Sequence, residues 1–123
     1  MTFLRNLAIK IHTILSGEPV AQDEIGWKLV GTVSINPSDY IYSQASVEYL
    51  VNTTDITNQV RVRLWNVTTA SQIGTTQTSL SMTTVRLTEN ITLTPGLNIY
   101  EVQVASQNSA TIVLCSGARI ILE

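Results

Sequence analysis

Val60-Arg61-Val62-Arg63-Leu64-Trp65-Asn66-Val67 alternates apolar and polar residues with a period of two, the pattern of a β-strand with one buried face. Val60, Val62 and Leu64 share one side, and Arg61, Arg63 and Trp65 share the other. The apolar side needs a cover, and the chain after Trp27 supplies it as further strands.

Upstream, Trp27, Leu29, Gly31, Val33 and Ile35 alternate with Lys28, Val30, Thr32 and Ser34 in a first long strand, which Asn36-Pro37-Ser38-Asp39 stops. A second strand is expected from Ile41 to Val51, with Ala45, Val47, Tyr49 and Val51 inward and Gln44, Ser46 and Glu48 outward. Downstream, the connection Thr68 to Gly74 is long for a tight hairpin and leads to a short edge strand near Gln77 to Met82. Val85, Leu87, Ile91 and Leu93 read as one interrupted strand or two short ones. Thr94-Pro95-Gly96-Leu97-Asn98 is the clearest turn, since Pro presets one backbone angle and Gly accepts a positive one. It delivers Tyr100, Val102 and Val104 to the core. Ala110, Ile112 and Leu114 open the last strand, Ser116-Gly117 can bulge it, and Arg119 to Leu122 close it. Short strands with a turn signal about every ten residues predict an all-β, antiparallel β-sandwich of jelly-roll type over residues 26–123.

Residues 1–25 form a separate amphipathic segment and linker with two readings. As a helix, Leu4, Leu7, Ile11 and Ile14 make a short seam for oligomerisation or docking. As an extended arm, Leu7, Ile9, Ile11 and Leu15 alternate against Lys10 and His12. Arg5, Asn6, Lys10 and His12 interrupt the apolar residues, so neither a signal peptide nor a membrane span is expected. Ser16 to Gly26 reads as a linker or long loop.

The chain has 123 residues, enough for one main domain, and only 13% are charged. With a mean hydropathy of +0.19, that low charge implies surface covered by other subunits. A net charge of -2 argues against nucleic acid as a partner. Cys115 is alone, so no internal disulfide forms.

His12 is the only histidine, which leaves zinc sites and Ser-His-Asp chemistry without support. Glu48, Glu89 and Glu101 carry no signature linking two of them as a glycosidase pair. The glycines are scattered singly, so no phosphate loop is present and no cofactor is expected. The sequons at Asn52, Asn66 and Asn90 are what chance gives in a Thr-rich chain. The expectation is a protein without enzymatic activity.

Trp65 flanked by Arg61 and Arg63 is the most suggestive group: a subunit interface, a sugar-stacking platform, or a surface covered by the chain's own loops. Tyr40 and Tyr42 either extend that aromatic surface or fill an end of the sandwich.

The run Val60 to Thr68, the turn Leu93-Thr94-Pro95-Gly96 before Tyr100 to Val104, and the closing Ala118-Arg119-Ile120-Ile121-Leu122 together resemble small jelly-roll modules of tailed-phage virions. That resemblance implies a non-enzymatic, commonly trimeric subunit used in capsid decoration, a head fibre or receptor binding. The leading expectation is therefore a self-associating virion surface subunit docked on a capsid or tail. The alternative is a carbohydrate-binding or receptor-binding adhesin domain, extracellular or at a cell surface, using its exposed aromatic residues on a glycan.

Overall fold

In the computed structural model the described residues are 10–13, 20–22, 26–108 and 111–123, the first two stretches by backbone alone. Among the described residues nine strands form two antiparallel sheets: β1 (Lys10–Thr13), β2 (Val20–Gln22), β3 (Lys28–Ile35), β4 (Ala45–Thr53), β5 (Val60–Asn66), β6 (Ser71–Ser79), β7 (Val85–Ile91), β8 (Asn98–Ser106) and β9 (Val113–Leu122). The first sheet has the order β1-β9-β4-β7, with β2 also on β9; the second has the order β3-β8-β5-β6. Connections that switch sheets at nearly every turn make this a jelly-roll sandwich, as the strand pattern predicts.

The apolar sides of the two sheets meet in one core. Val60, Val62 and Leu64 of β5 are fully buried, as are Val47, Tyr49 and Val51 of β4, Tyr100, Val102 and Val104 of β8, and Ile120 and Leu122 of β9. Each such aliphatic side chain contributes about 1.5 to 3 kcal/mol of burial. One end of the sandwich is closed by the C-terminus, where Ser43 and Gln44 donate to the Glu123 carbonyl and the Glu123 N–H returns to Gln44. The other is tied by Thr53 donating to Ser81 and Thr54 to Ile112.

Several expectations need correction. A bulge at Val30 separates the register pair Leu29–Gln103 from Gly31–Val102, so Val30 is buried and Leu29 is 52% exposed. The single inward face drawn from Leu29 to Ile35 is therefore broken, and Leu29 joins the outer row beside Gln103. A second bulge at Ser116, where Leu50 pairs with Gly117 and Val51 with Cys115, falls where the sequence places it. Before it the inward residues are Val113 and Cys115, whereas Ile112 is 47% exposed and Leu114 is half-buried, the reverse of the expected phase. β4 starts at Ala45 rather than Ile41. β6 starts at Ser71, because the β5–β6 connection is a tight turn: Ala70 takes a φ of 52° and the Asn66 side chain accepts from the Thr69 N–H at 3.1 Å. Val85 to Ile91 is one strand, and Leu93 is buried beyond its end.

Of the N-terminal expectations, Ile11 lies in β1 and pairs with Ile121, so the backbone there is extended rather than helical. Leu4, Leu7 and Ile14 lie outside the described residues. Val20–Gln22, inside the stretch expected as a linker, pairs with Val113 to Cys115 of β9.

Candidate functional site

The outer face of the second sheet carries the distinctive side chains. Antiparallel partners share a face, which places Thr32, Glu101, Trp65 and Gln72 in one row and Leu29, Gln103 and Arg63 in the next. Beyond them Arg61 pairs with Ala105, which is fully buried. Arg61 and Arg63 reach across β8 to Trp27, the residue just before β3. The Arg63 guanidinium carbon lies 4.3 Å from the ring centre of Trp27 and 4.5 Å from that of Trp65, so one cation touches two indoles. Arg61 stands 5.1 Å from the Trp27 ring. Such contacts contribute roughly 0.5 to 2 kcal/mol each, depending on desolvation.

Hydrogen bonds fix the group from β8. Arg63 Nε donates to Gln103 Oε1 at 2.6 Å, and Gln103 Nε2 donates to Glu101 Oε1 at 2.6 Å. Arg61 Nη2 donates to the Ser106 carbonyl at 2.9 Å. Burial pushes the Arg63 pKa below its ordinary value, the Glu101 carboxylate opposes that shift, and the Arg61 charge adds to it. Trp27, Arg61, Arg63 and Trp65 are all half-buried: each keeps part of its surface in solvent while its contacts hold it in place.

Trp65, Arg61 and Arg63 are thus gathered as the alternation predicts, but the sequence reading missed their second platform. The sequence pattern puts Trp27 in the alternation of a continuous strand with Gly31, Val33 and Ile35, and the bulge at Val30 takes it off their face. Gly31 next to it is the available signal, because a glycine inside a strand often marks a bulge.

Tyr40 and Tyr42 pack against the core from the β3–β4 loop, which fills the sandwich end and does not enlarge the aromatic face. Tyr42, Ser43, Gln44, Ala45, Ile91, Thr92 and Leu93 line a separate open cleft of about 330 Å³.

The three candidate carboxylates lie apart. Glu48, on the outer face of the first sheet, is held by Arg119 at 2.7 Å and Arg86 at 3.6 Å. Glu101 is on the second sheet, and Glu89 binds Thr75 at the sandwich's side. Among the described residues no three His, Cys, Asp or Glu side chains converge on a metal position, and no helix is long and apolar enough to cross a membrane. Asn66 is fully buried and donates to Thr94 and Asn98, so the folded chain does not present that sequon.

Fold and site together define a jelly-roll sandwich that displays a cation-aromatic group on one sheet face. The chain is similar in structure to a carbohydrate-binding module from Cellvibrio mixtus lichenase 5A, solved in complex with cellotriose. The TM-score is 0.54 and the identity 15%, covering 91% of this chain and 85% of that one; likeness at this identity shows the fold. No family model and no curated protein matches the sequence.

Proposed function

We propose that this protein is a carbohydrate-binding module, and that its binding face is the outer surface of the second sheet around Trp27, Arg63 and Trp65. The observation that carries the reading is the pair of half-exposed indoles pinned on one guanidinium. Their partners hold them in place before any ligand arrives, so a sugar stacking on their exposed surface meets side chains that are already ordered. Glu101, Gln103, Thr32 and Gln72 supply hydrogen-bonding groups around them. The similar module from the lichenase, with its bound cellotriose, supports the reading by fold. It favours the glycan-binding alternative over a virion decoration subunit, and an extracellular or surface polysaccharide is the ligand that goes with this reading. The chain binds and does not hydrolyse.

Affinity electrophoresis against soluble polysaccharides, with a glycan array beside it, tests this. Retardation by at least one glycan that Trp65→Ala removes, with the urea midpoint unchanged, is the expected result; retardation indifferent to Trp65 and Trp27 would move the site elsewhere.

A self-associating subunit is the second reading. Ile56 at 64% exposure, Leu80, Met82 at 55% and Ile112 project from three loops at the same end of the sandwich, an apolar surface suited to another copy. Light scattering on the full chain decides it: a dimer or trimer dispersed by Met82→Asp supports association there, and a monomer at micromolar concentration rules it out.

A further inference from the structure

We infer that the saccharide bound on this face is acidic, bearing carboxylate or sulfate groups, and that Arg63 is the side chain that meets its anion. The inference rests on the glycan-binding reading and narrows it to a chemical class.

Arg63 carries five N–H donors. Its Nε is spent on Gln103, and its other two nitrogens make no hydrogen bond or ion pair within the described residues. Both ion pairs of the described chain belong to Glu48, on the opposite sheet. Glu101, the carboxylate in the neighbouring row, is engaged by the Gln103 amide and acts on Arg63 only through space. Arg61 brings a second positive charge over the same Trp27 ring.

Two cations and one anion therefore share a half-buried aromatic patch on a protein whose net charge is -2. Indole faces attract a guanidinium but offer no in-plane oxygen for its remaining N–H groups. A planar carboxylate or a sulfate supplies two oxygens at the right spacing, and the sugar ring next to it lies against the indoles. A neutral sugar gains the stacking and the hydrogen bonds of its hydroxyls, but nothing that neutralises the guanidinium. The Arg63 charge, held partly out of water and without an ion pair among the described residues, is what an anionic ligand would neutralise.

The test is calorimetric titration of the full chain with three probes: an oligogalacturonate, a sulfated heparin-derived oligosaccharide and cellotriose, in 150 mM salt. The expected result is at least tenfold tighter binding of one acidic probe than of cellotriose, and the probe that binds identifies carboxylate or sulfate. Arg63→Gln should erase that preference, while Glu101→Gln, which removes the competing negative charge, should strengthen acidic binding two- to tenfold. If Arg63→Gln fails to fold, the Glu101→Gln shift decides by itself. Cellotriose bound as tightly as the acidic probes overturns the inference and leaves the glycan reading standing. A preference that survives Arg63→Gln overturns the role of that residue. Failure of all three probes to bind goes against the glycan reading itself.

Discussion

The Glu89 carboxylate of β7 accepts the Thr75 backbone N–H at 2.9 Å and the Thr75 hydroxyl at 2.8 Å, tying the edge strand of one sheet to the edge strand of the other. Gly74 makes the approach possible. Its φ is 74°, and a Cβ there would stand 2.7 Å from Glu89 Oε1. Hydrogen bonds to a charged group contribute about 1.5 to 3 kcal/mol, so Glu89→Ala should cost about 2 kcal/mol, or roughly 8 °C in Tm. Gly74→Ala should cost a similar amount through clash and backbone strain. In the double variant the clash is gone and only the strain remains, so the two losses should sum to less than their parts. Full additivity in thermal melts would show that the clasp does not hold the edges together.

Tyr49 is fully buried and its hydroxyl has no hydrogen-bond partner among the described residues. Burial raises its pKa far above the ordinary tyrosine value, and the Glu89 and Cys115 charges add to the effect. An unpartnered buried hydroxyl costs about 1 to 3 kcal/mol, while its ring still packs. Tyr49→Phe should therefore raise the urea midpoint, by about 1 kcal/mol at unchanged slope. A loss of that size would mean that the hydroxyl has a partner after all.

Much of this architecture is legible in the sequence because its strands bury one face, and one-sided burial writes a period of two. Val60 to Trp65, Ala45 to Val51 and Tyr100 to Val104 are placed correctly on that ground alone. The failures cluster at bulges. One extra residue at Val30 and another at Ser116 each reverse the phase, so Leu29 and Ile112, apolar members of an alternating pattern, are exposed. The same reversal hid Trp27. Its neighbours Arg61 and Arg63 lie on β5, with β8 between, and no local spacing records that three-strand arrangement.

Cys115 is fully buried on the inner side of β9, and burial pushes its thiol from 9.0 up to about 11, with a backbone hydrogen bond at Gly117 opposing the shift. The folded chain holds the proton more tightly than the unfolded chain, so the associated stability is complete below pH 9 and is lost as pH rises through about 11. That difference corresponds to about 3 kcal/mol at the upper end. Urea midpoints should fall between pH 9 and 11, and Cys115→Ala, despite the small cavity it leaves, should show a shallower fall. At pH 8 a thiol reagent should modify the native chain no faster than the chain unfolds.

Asn66 and Asn98 organise the end of the sandwich beside the aromatic face. Asn66 Nδ2 donates to Asn98 Oδ1 at 3.2 Å and Thr94 Oγ1 at 3.1 Å, while Asn98 Nδ2 contacts the carbonyls of Thr94, Pro95 and Gly96. Both side chains are buried, and Gly96 at a φ of 88° completes the turn they hold. Asn66→Ala leaves a buried acceptor on Asn98 and a turn N–H at Thr69 without partners, and should cost about 2 to 4 kcal/mol. Asn66 is next to Trp65, so this variant also separates stability from binding: a merely destabilised chain should still bind its glycan below its melting temperature. Lost binding in a folded Asn66→Ala chain, read by near-ultraviolet circular dichroism, would show that the turn positions Trp65.

Strands β1 and β2 both lie against β9, pairing Lys10–Thr13 with Arg119 to Leu122 and Val20–Gln22 with Val113 to Cys115. A chain that begins at Gly26 leaves one side of β9 without those partners. Each lost backbone hydrogen bond is worth about 0.5 to 1.5 kcal/mol, partly offset by the ordering entropy the removed residues no longer lose, so the net loss should be about 1 to 3 kcal/mol. The bare edge is also a template for another strand. The truncated chain should therefore scatter more light with time at micromolar concentration than the full chain, and Ile121→Lys on that strand should suppress the increase. Equal urea midpoints and equal masses for the two chains would show that β1 and β2 neither stabilise nor guard the sheet.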